Sequence, residues 1–143
     1  MGDIMHPHGE PLRREAFSFT PDHGVPPKVA PFSHATRFGS LVFVTGQMPT
    51  DPATGLPVPG DVVAQAEQVR RNLEAVLEQF DLTLDDALMV RVYLTSFEDD
   101  YEAFNAAYST WFNGPLPSRT CVGVTALAVG AAVEIDVIAG IPS

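Results

Sequence analysis

Apolar residues along this chain switch between a two-residue and a helical period, and each switch marks an element. Phe17 and Phe19 alternate with Ser18 and Thr20 as a short strand would, before the proline-rich stretch from Pro21 to Pro31 imposes an irregular connection. Ser33–Phe38 and Leu41–Gln47 flank Gly39-Ser40, the pattern of a hairpin. The unbroken run Leu41-Val42-Phe43-Val44 predicts a central strand covered on both faces. Met48–Gly60 carries Pro49, Pro52, Gly55, Pro57, Pro59 and Gly60, a density of breakers that only a surface loop tolerates.

From Asp61, a residue suited to an N-cap, apolar positions fall at Val62, Ala66, Val69, Leu73, Val76, Leu77 and Phe80, on one helical face. The opposite face, with Gln65, Glu67, Gln68, Arg70, Arg71, Glu74 and Glu78, is expected to be solvated. Ala87–Thr95 returns to strand alternation, with Leu88, Val90, Val92 and Leu94 on one side and Met89, Arg91 and Tyr93 on the other. Ser96 with Asp99 resembles a capping box, and Phe97, Tyr101, Phe104, Tyr108 and Trp111 then recur at helical spacing. That aromatic stripe is expected to be core rather than a ligand box, with Asn113-Gly114-Pro115 ending the helix.

Ser118–Thr125 and Val133–Ala139 read as two further strands joined as a hairpin around a turn near Ala128–Gly130. Strands, helix, strand, helix, strands predicts an α+β domain, a mixed sheet with both helices on one face. Apolar strands then leave the other face needing cover, which predicts a homo-oligomer whose sheets cover one another. Residues 1–14 show no periodicity and are expected to form a flexible arm, leaving 15–143 as one domain.

Charge narrows the partners. Eight Lys and Arg against eighteen Asp and Glu give a formal charge of −10, which opposes a phosphate backbone and argues against nucleic acid. Apolar runs fall far short of the roughly 20 residues of a membrane span, and no targeting signal is visible. Cys121 is the only cysteine, which excludes an internal disulfide framework and suits a reducing, cytoplasmic setting.

Candidate chemistry concentrates near the C-terminus. Alternation puts Arg119, Cys121 and Gly123 on one strand face, and Glu134 and Asp136 on one face of the next strand. The Arg119 fork either grips a substrate carboxylate or makes a structural ion pair with Glu134 or Asp136. Glu134 near a cleft can polarise water, whereas Cys121 reads better as a small packed hydrophobe than as a nucleophile. Ser33-His34 lacks a nucleophile elbow, His6-x-His8 lacks a third ligand, and neither a P-loop nor a dinucleotide fingerprint is present, so no metal is expected.

Pro117-Ser118-Arg119-Thr120-Cys121-Val122, followed by Glu134-Ile135-Asp136-Val137-Ile138-Ala139, resembles the C-terminal signature of the Rid family, the reactive intermediate deaminases also called YjgF-like proteins. Pro31-Phe32-Ser33-His34-Ala35, Thr45-Gly46-Gln47-Met48-Pro49 and Asn105 match in order, so the resemblance runs from about Phe19 to Ala139. It implies a chorismate-mutase-like fold and a homotrimer with a barrel-like core and clefts between subunits. In the deaminating branch, the arginine matching Arg119 grips the substrate carboxylate and the glutamate matching Glu134 positions the attacking water. Cys121, Phe32, Thr45, Gly46 and Asn105 match cleft positions.

The resemblance further implies a cofactor-independent hydrolysis of 2-imino acids, in equilibrium with enamines such as 2-aminoacrylate, to 2-keto acids and ammonia. Phe32 departs from the family's pocket tyrosine, Thr45 from its usual serine, and Ala128 from a common proline. Two other functions suit the same cleft: a non-catalytic module that binds a keto acid, and a specialised deaminase of an aminomuconate-like enamine with Phe32 as an apolar wall. Ribonuclease activity, attached to some relatives, fits poorly with the charge of −10.

Overall fold

The computed structural model describes residues 11–143, so His6-x-His8 and most of the expected arm lie outside the described residues. In chain order the elements are β1 (Glu15–Phe17), β2 (Ala35–Phe38), β3 (Leu41–Gln47), α1 (Val62–Glu78), β4 (Ala87–Leu94), α2 (Phe97–Tyr108), β5 (Ser118–Gly123) and β6 (Val133–Gly140). They form one mixed sheet in the order β1-β2-β3-β6-β4-β5. β6 runs antiparallel to both β3 and β4, and β5 runs parallel to β4. β3, β4 and β5 therefore point the same way. α1 and α2 are the crossovers between them, stepping across the sheet in one direction, which puts both on one face.

Alternation explains what lies beneath those helices. Val42 and Val44 of β3, Val90, Val92 and Leu94 of β4, and Val133, Ile135 and Val137 of β6 are buried on this inner face. They meet Val69, Leu73, Val76 and Leu77 of α1 and Phe104 of α2, each buried side chain contributing about 1.5–3 kcal/mol. Asp61 caps α1 as expected, its Oδ1 accepting from the Ala64 N–H at 3.0 Å. Asn72 breaks the apolar pattern while fully buried. Its Nδ2 donates to the carbonyls of Met48 and Thr50, and its Oδ1 accepts from Gln68, which ties the loop after β3 to the helix.

Several expectations require correction. β5 and β6 are not a hairpin: β5 sits at the sheet edge and β4 lies between them, because the parallel crossover through α2 delivers β5 beside β4. β1 ends at Phe17, since the next backbone donor, the N–H of Phe19, turns to the ring of His34 instead of a strand. Leu88 leaves the buried side of β4. A register shift between Ala87 and Met89 turns it to the outer face, against Gly140, where it is 50% exposed. Ser96 starts α2 without a side-chain cap, leaving Glu98, Asp99 and Asp100 to favour the first turn electrostatically. That helix ends at Tyr108; Asn113 and Gly114 instead donate to the carboxylate of Asp85. On the solvated side of α1, Gln65 reaches across to accept from the Ala132 N–H.

Among the described residues nothing covers the outer face of the sheet. Phe38, Leu41 and Phe43 stand 47%, 38% and 39% exposed there, so the apolar run of β3 is covered on its inner side alone. Among the described residues no helix is long and apolar enough to cross a membrane.

Candidate active site

Arg119 pairs across the β4–β5 ladder with Val90, and Cys121 pairs with Val92. Both therefore project from the inner face, toward α2. The Arg119 guanidinium carbon lies 4.9 Å from the ring centre of Tyr108, 5.9 Å from that of Tyr101 and 6.0 Å from that of Phe104, within cation–π range of all three. Its Nη2 also makes a long 3.5 Å contact to the Tyr101 hydroxyl. Among the described residues no carboxylate pairs with it. The aromatic stripe thus serves two ends: Phe104, Tyr108 and Trp111 are core, and the Tyr101–Phe104–Tyr108 side carries a cation. Burial pushes the Tyr108 phenol up to about 12, against the pull of Arg119, and its hydroxyl is buried without a partner among the described residues.

Glu134 is built on the other side of the sheet. It pairs with Tyr93 across the β4–β6 ladder, which turns it to the outer face and rules out the ion pair with Arg119 within one chain. Asp136, the other proposed partner, is engaged by Arg91 at 2.7 Å and by the Tyr93 hydroxyl at 3.0 Å. On β3, Val44 pairs with Val137 and Gln47 with Ile135, so Thr45 and Gly46 bulge opposite Asp136. This bulge brings the Gly46 backbone against Glu134, where a Cβ would collide with the carboxylate. Burial, then the neighbouring Asp136 charge, pushes the Glu134 carboxyl above its ordinary value. A carboxyl shifted in this direction takes up a proton more readily than a solvated one.

The remaining candidates divide between these two groups. Gly46 lines both a small cavity of about 20 Å³ with Phe32, Pro26 and Val29, and a shallow depression of about 420 Å³ with Thr45, Thr36, Arg91 and Asp136. Phe32, Thr45, Gly46 and Glu134 are thereby brought together. Asn105, one residue past Phe104 on α2, has its Oδ1 buried without a hydrogen-bond partner among the described residues. Burial raises the Cys121 thiol, with Arg119 pulling the other way, and the side chain packs against the core. That favours a thiol over a thiolate nucleophile.

His34 is structural. The Phe19 N–H donates to its Nδ1 at 2.9 Å, which leaves Nε2–H to donate to the Pro26 carbonyl at 3.0 Å, and burial lowers its pKa. Residues overlooked in the sequence are Tyr101 and Tyr108, whose helical spacing pointed to core alone, and the Arg91–Asp136 pair, invisible until β6 is known to lie beside β4. Among the described residues no cluster of three His, Cys, Asp or Glu could hold a metal ion.

Known proteins share both the sequence and this architecture. Residues 24–141 match the family described as Endoribonuclease L-PSP. The protein DfrA of Myxococcus xanthus is 40% identical over 130 residues, 90% of this chain and 98% of its own. A crystal structure of a Rid family protein from Yersinia pestis superposes with a TM-score of 0.83 at 33% identity, covering 90% of this chain and all of that one. The chain belongs to the Rid, or YjgF-like, family. Another Rid-like fold, that of E. coli TdcF with bound serine, has a TM-score of 0.82 at 29% identity, covering 90% of this chain and 100% of the other. Rid membership agrees with the two-helix, six-strand fold and with a Rid-type role.

Proposed function

We propose that the protein hydrolyses reactive 2-imino acids and their enamine tautomers, of the 2-iminopropionate and 2-aminoacrylate type, to 2-keto acids and ammonia. The observation that carries this reading is Arg119, a half-buried cation without a carboxylate partner among the described residues, and a strong fit for a substrate carboxylate. Support comes also from the relative crystallised with serine, a ligand with the same α-carboxylate. The imine carbon is already electrophilic. Water placed by Glu134 adds to it, the proton passes to nitrogen, and the carbinolamine expels ammonia as the carbonyl forms, which calls for positioning and proton transfer and no cofactor.

Arg119 and Glu134 face opposite sides of the sheet from strands two ladder spacings apart, about 10 Å. One chain cannot close both on a three-carbon acid. A cleft between copies can, with Arg119, Cys121 and Asn105 from one and Glu134, Thr45, Gly46 and Phe32 from its neighbour; the uncovered apolar outer face supports such self-association, as a homotrimer. Phe32, with a ring and no hydroxyl in a small cavity that it lines with Pro26, Val29 and Met48, favours substrates with apolar substituents. The charge of −10 opposes the ribonuclease activity named in the family description.

The test is the loss of 2-iminopropionate, generated in situ by an amino-acid oxidase and trapped with semicarbazide. Acceleration by the wild type and not by Arg119→Ala is expected. No acceleration with this or larger imino acids would leave a keto-acid-binding module as the better reading.

A further inference from the structure

We infer that the aromatic side of α2 is a positioning device for Arg119: Tyr101 and Tyr108 hold the guanidinium by their ring faces, leaving its N–H donors, apart from the long Nη2 contact to the Tyr101 hydroxyl, free and oriented for a carboxylate before the ligand arrives. The inference rests on Arg119 being the carboxylate clamp.

The other arginines on regular elements show how this chain ordinarily stabilises a cation. Arg37 pairs with Glu15 at 2.9 Å, Arg70 with Glu67 at 3.1 Å and Glu74 at 3.2 Å, and Arg91 with Asp136 at 2.7 Å. Arg119 is treated differently. It is surrounded by three rings within 6.0 Å and no carboxylate among the described residues. A ring attracts the cation through its quadrupole yet consumes none of the N–H donors, whereas an ion pair would occupy the fork a ligand needs.

Tyr108 carries the second sign. It is 5% exposed, its hydroxyl has no partner among the described residues, and its ring is the nearest of the three to the guanidinium, so the ring does what the hydroxyl does not. An edge strand such as β5 gives Arg119 a neighbouring strand on one side only, and the rings supply the orientation that a second strand would. Affinity for a carboxylate ligand then depends on residues that never touch it.

The test is a double-mutant cycle on the folded full chain, with pyruvate as the probe and NMR titration as the readout, Trp111 fluorescence serving as a second signal 5.3 Å from the Tyr108 ring. Tyr101→Leu is expected to weaken pyruvate binding about three- to tenfold, and Tyr101→Phe and Tyr108→Phe, which keep the rings, less than about twofold. In an Arg119→Ala background Tyr101→Leu should cause no further loss. Tyr101 is half-exposed, so this variant avoids the core damage that Tyr108→Leu risks. Equal loss in both backgrounds, no loss in either, or a Tyr108→Phe defect as large as that of Tyr101→Leu overturns the inference while leaving the clamp standing. Unchanged binding by Arg119→Ala alone refutes the clamp itself, and the positioning role with it.

Discussion

Arg119 and Glu134 are separated by one strand, and the chain places them by contrasting means. Arg119 stands on an edge strand, on the helix-covered face, steadied by rings that also belong to the core. Glu134 stands on an interior strand, on the open face, pressed by a bulge and a glycine into a position where its charge is disfavoured. A cation is stabilised without an ion pair among the described residues, and the charge of a carboxyl is disfavoured by burial and by the neighbouring Asp136. Under the proposed reaction, one sheet would furnish its two halves on its two faces, provided that copies of it come together.

The strongest way to break this contrast is to separate the halves genetically. Arg119→Ala and Glu134→Gln should each reduce kcat/KM on 2-iminopropionate by about a hundredfold or more. Mixed and allowed to exchange subunits, the two inactive variants should regain activity in about a quarter of their clefts, because each supplies what the other lacks. Steady-state assays of the mixture decide it; no recovery would place both residues in one chain's site.

Next in size is Gly46→Ala, whose added methyl must displace the Glu134 carboxylate. We expect a loss of about 1–3 kcal/mol in stability together with a fall in kcat, and an unaltered rate would show that the contact with Gly46 does not position Glu134.

Titration sharpens the contrast further. The folded pKa of Glu134 is raised, so the native state holds its proton longer than the unfolded chain; the associated stability is complete below about 4.5 and is lost as pH rises through the folded value. Glu134→Gln should therefore melt above the wild type at pH 7 and level with it near pH 4. His34 runs the other way. Its folded pKa is lowered, so its contribution is present above about 6.5 and is lost as pH falls below that. A melting temperature that stays flat from pH 7 to pH 5 in the Glu134→Gln background, where the opposing carboxyl is removed, would contradict that assignment.

The smallest effect concerns the link between the two strands. Val129, a β-branched residue in the left-handed region at φ 55°, lies in the crossing from β5 to β6. Val129→Asn should raise the urea midpoint by about 1 kcal/mol of stability with turnover unchanged. A lower midpoint would mean that the Val129 side chain contributes more than its backbone strain costs.

The helices, the central strand and the apolar alternation of β6 were readable because burial imposes a period on the sequence. Neighbour order was not, since β5 could pair with β4 or β6 on the same alternation and only the parallel crossover decides between them. The candidate site residues Arg119 and Glu134 were drawn from the paired C-terminal segments. Their distribution over two faces was not readable, because the bulge at Thr45-Gly46 and the shift beside Leu88 change facing without changing composition. Asn72 and Tyr101 sat inside strong periodic patterns that concealed their polar contacts.

The edge position of β5 has an evolutionary consequence. A residue on a strand held along one side can be exchanged with little disturbance to the packing beneath α1, so a lineage can drop the cation at position 119 and keep the fold. If Arg119 is the clamp proposed above, an active and a silent sequence would be neighbours by single substitution, and the scaffold would outlive the particular chemistry it carries.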